Sequence, residues 1–195
     1  MQKMNAIERV KKEIASIISH SPVPEDPLHS RNTLEWVLRL TPHPSVALQI
    51  AALGHDIERA TPDRRVKKDT FRDYDSFKLA HARESARILT DLIRRCGVKD
   101  EALIVSVKEL VEKHEFGGTP EADILKDADG LSFFDVNLSL YYLREGWQEA
   151  LRRSLWGYRR LSERAKEMLQ YLAPESLVVQ RLIERTKRLT QWGMF

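Results

Sequence analysis

The sequence predicts an all-α fold, a helical bundle of about seven to eight helices. Three observations carry that expectation. Apolar residues recur at three- and four-residue spacing along most of the chain, no stretch alternates with strand period, and prolines and glycines gather at the joints. At 195 residues and 42% hydrophobic content the chain is long enough to bury a real core, so one domain over 1–195 is expected.

Residues 5–19 repeat apolar positions at Ile7, Val10, Ile14 and Ile17/Ile18, the pattern of an amphipathic capping helix. "SPVPEDP" then breaks the chain with three prolines before a second helix at about 28–40. "TPHP" separates it from a third at about 44–57, where Ser45, Gln49, His55 and Asp56 are the only polar side chains from Ser45 to Ile57. A long polar connector, "RATPDRRVKKDTFRDYDS", leads to a fourth helix at about 76–96, which Gly97 ends. A fifth runs from about 100 to 115, and "FGGTPEA" turns the chain into a sixth at about 121–145. Two further amphipathic helices fill 147–171 and 175–190, with "APES" as the break between them and an exposed-looking tail after them.

Composition excludes several classes. The formal charge of +3 is mild and intermixed, so nucleic-acid binding is unsupported. Cys96 is the only cysteine, which rules out an internal disulfide and a cysteine-based zinc site. The N-terminal stretch reads as a charged amphipathic helix rather than a signal peptide, and no stretch is long enough to span a bilayer. The expectation is a soluble cytoplasmic protein without a membrane partner. "RLIERTKRLTQW" offers a possible homodimer surface, with plain core packing as its simpler explanation.

The histidines fall on apolar stripes. His29 lies with Thr33, Trp36 and Leu40; His81 with Ser85, Ile88 and Leu92; His114 with Val107, Leu110 and Val111. His55 and Asp56 end the apolar third helix, and consecutive residues on a helix point about 100° apart, so they share a target only at a helix end. Asp129 shares a stripe with Leu125, Ser132, Val136 and Leu140, while Asp127 has an equally apolar one in Ile124, Leu131, Phe134 and Leu138. A lone inward histidine is ordinarily a hydrogen-bonded core residue. Four helices that each direct one inward, with two carboxylates beside them, point instead to a divalent transition metal, which accepts neutral imidazole and carboxylate and offsets the cost of burying aspartate.

In this order His29, His55-Asp56, His81, His114 and Asp129 resemble the HD-domain superfamily of metal-dependent phosphohydrolases. The words "LHSRNTLEWV", "AALGHDIER", "HARESARIL", "ELVEKHE" and "LKDADGLSF" carry the resemblance over a core of about 28–145, flanked by the 5–19 helix and the 147–190 helices. The resemblance implies one ion held by His29, His55, Asp56 and Asp129 and a second by His81 and His114 with Asp56 bridging. Its spacing of aspartate, one residue, leucine favours Asp129 over Asp127. One or two ions of iron, manganese, cobalt, nickel or zinc are compatible with such ligands.

The implied chemistry is hydrolysis of a nucleotide or another small phosphorylated metabolite, with Asp56, Arg59 and Glu58 as the catalytic candidates. Glu58 stands where many superfamily members have glycine, and is read as a proton donor or as a salt-bridge partner of Arg59 or Arg31. Arg59 keeps a cation where they have lysine and suits bidentate phosphate contact. Arg31, Lys78 and Lys126 lie close in sequence to the ligand segments and join Arg59 as substrate-binding candidates. The connector's other cations, Arg64, Arg65, Lys67, Lys68 and Arg72, read equally as a clamp or as a solvated loop. Two alternatives stand beside the hydrolase: a di-iron oxygenase on the same scaffold, and a non-catalytic metal- or ligand-binding regulatory module.

Overall fold

Helices form where apolar periodicity and capping residues coincide. The computed structural model describes residues 5–172, 174 and 176–191. Its α-helices are α1 (Ala6–Ile18), α2 (Asp26–Leu40), α3 (Val46–Gly54), α4 (Tyr74–Arg95), α5 (Glu101–Lys113), α6 (Pro120–Ser132), α7 (Leu138–Arg160), α8 (Glu163–Met168) and α9 (Leu177–Gln191), with no strand among the described residues. Asn5, Ser45, Asp73, Asp100 and Ser162 each accept a backbone N–H of the first turn that follows, satisfying donors the helix leaves free. Proline in the first turn starts α2 and α6, where its missing N–H costs nothing. None of the helices among the described residues is long and apolar enough to cross a membrane.

The bundle packs α4 on α5, α2 on α6, α3 between α2 and α5, and α7 on α9. Its core joins Val10 and Ile14 of α1, Leu48 and Ile50 of α3, Leu89 and Ile93 of α4, and Leu125 and Leu131 of α6. The end of α3 meets Leu89 of α4 at Gly54, the last residue of α3. A Cβ there would lie 2.6 Å from Cδ2 and 2.9 Å from Cδ1 of the fully buried Leu89. Gly54→Ala is therefore expected to lower unfolding stability by about 1–3 kcal/mol through overpacking, read from urea denaturation. A more stable variant would mean that Leu89 has room to step aside.

Three boundaries differ from the sequence expectation. The sixth helix does not run on from 121 to 145: it ends at Ser132, and a π turn, Phe133–Asn137, joins it to α7. The wider turn shifts the helical register, so Leu140 is exposed instead of sharing the inward stripe of Asp129. α7 continues through the expected break at Gly146 as a kink, with φ 79° and ψ 177° there, a conformation that favours glycine. The expected helix 147–171 stops at Arg160, because Ser162 caps the short α8. Ala173 and Glu175 of the "APES" break, and the tail after Gln191, lie outside the described residues.

Candidate metal centre

α3 ends one residue before the histidine-aspartate pair. His55 keeps helical angles as the C-cap, whereas Asp56 (φ −105°, ψ 13°) leaves the helix, and both side chains turn inward at that break. α2 brings His29, α4 brings His81, the turn after α5 brings His114, and α6 brings Asp129. All six are 7% exposed or less.

Each imidazole is held by its Nδ1. His55 and His114 donate from Nδ1 to the carbonyls of Ala52 (2.9 Å) and Val111 (2.7 Å), and His81 donates to Glu58 Oε1 (2.6 Å). His29 Nδ1 lies 2.8 Å from the hydroxyl of Ser132, which itself donates to the His29 carbonyl. With Nδ1 engaged in these bonds, every Nε2 is the ring nitrogen that faces the centre and, in the neutral imidazole, offers it a lone pair. His29 Nε2 and His55 Nε2 are 3.2 Å apart. Asp129 Oδ1 is 3.2 Å from the first and 3.6 Å from the second. Asp56 divides its carboxylate: Oδ2 is 3.6 and 3.7 Å from those nitrogens, while Oδ1 is 2.7 Å from His81 Nε2 and 4.0 Å from His114 Nε2.

Lone pairs and carboxylates this close repel unless a cation lies among them, so the donor set fits a metal. His114 Nε2, fully buried, makes no well-aligned hydrogen bond among the described residues and lies 3.2 Å from Glu115 Oε1. Among the described residues three groups have ligand atoms within 4.8 Å of one another and could hold an ion: His29, His55 and Asp129; Asp56, His81 and His114; and His114, Glu115 and Asp129. In the metal-free chain protons do part of this work. Burial opposes a charge on His55, yet Asp56 and Asp129 outweigh it and raise its pKa to about 9. Burial also opposes the charge on Asp56 and Asp129, but Arg59 for the former and the histidines for both hold them well below the usual carboxylate range. Burial keeps His114 below the ordinary imidazole value.

A pH dependence follows with a definite sign. Without metal, the charge on His55 stabilises the fold fully below the free value of 6.5, and that contribution is lost as pH rises through about 9. A metal must displace the same proton. Uptake between pH 7 and 9 is therefore expected to release about one proton per chain, with affinity rising about tenfold per pH unit. Calorimetry in buffers of different ionisation heat reads this directly, and a pH-independent affinity would contradict it.

The remaining sequence candidates separate. Arg59 Nη1 sits 2.7 Å from Asp56 Oδ2 and 3.3 Å from Asp26 Oδ1. Glu58, 1% exposed, pairs with neither Arg59 nor Arg31. Its Oε1 accepts from His81 and its Oε2 accepts the Val66 N–H (2.9 Å), so it ties a centre histidine to the connector. Lys78 does not face the cavity described below: it is buried in an ion pair with Glu115, beneath Trp156. Arg31 is exposed on α2, and Lys126 pairs with Asp123 beside the Gly117–Gly118 turn, so neither lines that cavity. Asp127 faces away from the centre and accepts from the Ser162 N–H and hydroxyl (2.9 and 2.5 Å).

Glu115, which the stripes did not single out, is wholly buried beside His114. Burial opposes its charge, but Lys78 and Arg160 keep its pKa well below the ordinary value. Arg160 also donates to the carbonyls of His114 and Glu115 and fastens the end of α7 to the turn carrying His114. Adjacency to His114 was the one available signal; its partners lie 37 and 45 positions away.

A cavity of about 770 Å³ reaches the centre at His29 and Asp129. The π turn supplies Phe133 and Asn137 to its wall, α7 supplies Tyr141, Arg144 and Arg153, and Tyr74 and Phe77 add aromatic surface. The connector contributes Arg59, Arg65, Lys67 and Lys68, so part of the basic run does line a site rather than only open solvent. Arg144 is neutralised by Glu25 (2.8 Å), but Arg65, Lys67, Lys68 and Arg153 form no ion pair among the described residues. The arrangement suits an anion with a partly apolar body. A protein-family model described as a domain of unknown function, DUF4202, matches residues 2–183. No curated protein matches the chain, and no solved structure does.

Proposed function

We propose that this chain, which belongs to the DUF4202 family, is a metal-dependent phosphohydrolase of the HD superfamily acting on a nucleotide or another small phosphorylated metabolite. One observation carries the reading: four Nε2 lone pairs converge on a single aspartate whose two oxygens face different histidine pairs, at the foot of a cavity bearing unpaired cations. His29, His55, Asp129 and Asp56 would hold one divalent ion, and His81 and His114, with Asp56, would hold a second. Metal bound there supplies charge neutralisation at a phosphoryl group and a nucleophile from water at neutral pH.

The chain's own residues do the rest. Arg59 stands at the mouth of the centre with a guanidinium able to take two phosphoryl oxygens. Glu58 keeps His81 in the tautomer that turns Nε2 inward and pins the connector at Val66, next to Arg65 and Lys67. Tyr74, Phe77 and Phe133 wall the cavity and reduce water around the bound anion. No side-chain nucleophile is required.

The test is orthophosphate release by the full chain, stripped and reloaded in turn with manganese, cobalt, nickel, ferrous iron or zinc, against a panel of nucleotides and phosphorylated metabolites. Metal-dependent release from a subset of the panel is expected. No release with any ion would overturn the reading.

A further inference from the structure

Arg153 is held in an unusual way for a guanidinium at a protein wall. It packs against aromatic rings instead of a carboxylate: its Cζ lies 4.5 Å from the ring centre of Phe133 and 4.7 Å from that of Trp156. Its Nη1 is buried and has no hydrogen-bond partner, although a buried donor left unmade costs about 1–3 kcal/mol. Room for that nitrogen comes from Gly157 one turn later, where a Cβ would stand 3.2 Å from Nη1. The same side chain lines the cavity that ends at His29 and Asp129, in company with Tyr74. Burial works against its charge, while the nearby Tyr74, Asp129 and Glu115 favour it. A guanidinium held against aromatic rings at a cavity wall, with no carboxylate to neutralise it among the described residues, is a pre-positioned anion receptor.

Resting on the phosphohydrolase reading, we propose that Arg153 is a substrate-binding residue, whose guanidinium donates to a phosphate oxygen of the substrate. Its role is distinct from that of Arg59, whose guanidinium already meets Asp56 and Asp26. Packing against Phe133 and Trp156 holds the guanidinium in place before the ligand arrives, so little side-chain entropy is lost on binding. The part of the substrate it seats is therefore a phosphate group, and the aromatic wall beside it accepts the adjoining apolar portion.

The experiment measures binding of inorganic phosphate to the metal-loaded full chain by calorimetry, with Arg153→Met and Arg153→Lys beside the unaltered protein. Arg153→Met is expected to weaken phosphate about tenfold or more and to raise KM more than it lowers kcat, with metal content unchanged. Arg153→Lys keeps the charge but not the fork, and is expected to lose several-fold; it also serves if the Met variant does not fold. Unchanged phosphate affinity and KM in a folded variant, while the unaltered protein still releases orthophosphate from its substrates, would overturn the role of Arg153 alone. Absence of both phosphate binding and phosphate release in the unaltered protein would overturn this proposal together with the reading it rests on.

Discussion

On the proposed reading, Asp129→Asn is expected to strip the protein of tightly held metal and of phosphate release, whereas Asp127→Asn is expected to leave both near normal and to cost stability. Asp129 Oδ1 stands within 3.2 Å of His29 Nε2 and 3.6 Å of His55 Nε2, at 5% exposure. An asparagine of the same shape removes the negative charge and aims one carbonyl or one NH2 at two lone pairs. Loss at a direct ligand should exceed the about 10–100-fold typical of residues behind the ligands, so a drop of about a hundredfold or more in activity is expected. Asp127 bonds the N–H and hydroxyl of Ser162, the cap of α8, and has no part in the cluster. Weakening two hydrogen bonds to a buried charge is worth about 1.5–3 kcal/mol, to be read in urea denaturation. Metal analysis and orthophosphate assay on the two variants decide the matter, and the reverse ranking would move the ligand role to Asp127.

Arg59→Ala is expected to lower turnover about a hundredfold, or about 2.7 kcal/mol of transition-state stabilisation, with metal content unchanged. The guanidinium sits 2.7 Å from Asp56 Oδ2, yet lies on the cavity side of the centre and is a quarter exposed, so a phosphoryl group entering the cavity meets it beside the ligands. An interaction made chiefly with the charge that develops in the transition state shows in kcat, not only in KM. The same assay run without oxygen separates the two enzyme classes that share such ligands. Orthophosphate release should not depend on oxygen. Activity that needs ferrous iron and consumes oxygen, with Arg59→Ala unaffected, would replace the hydrolase by an oxygenase.

The residues of the centre were legible because each interrupts an apolar helical stripe. His29 with Trp36 and Leu40, and His81 with Ile88 and Leu92, face the interior as their spacing requires. The pair His55-Asp56 was legible as a helix end, and the break after Gly54 is what lets neighbouring residues face one target. Periodicity carries no sign of a π turn, however, so the shift at Phe133–Asn137 was invisible and Leu140 fell on the wrong face. Nor does proximity in sequence say which way a charged side chain points. Lys78 lies one helical turn before His81 but turns to Glu115, and Lys126 lies one turn before Asp129 but stays with Asp123. Arg153 and Arg144 come from α7, remote in sequence from every ligand, and only the folding of that helix over the π turn puts them at the cavity. Partners met through tertiary contact were the part that no local pattern encodes.

Metal stoichiometry tests the centre most directly. The full chain, stripped by chelator and titrated with manganese or ferrous iron under anaerobic calorimetry, should take up two ions per chain, and Asp56→Ala should lose both because its two oxygens face the two histidine pairs. A protein that binds no ion saturably would show that His29, His55, His81, His114 and Asp129 are a hydrogen-bonded core and not a metal centre, and an Asp56→Ala variant that binds two ions as before would show that Asp56 is not shared between them.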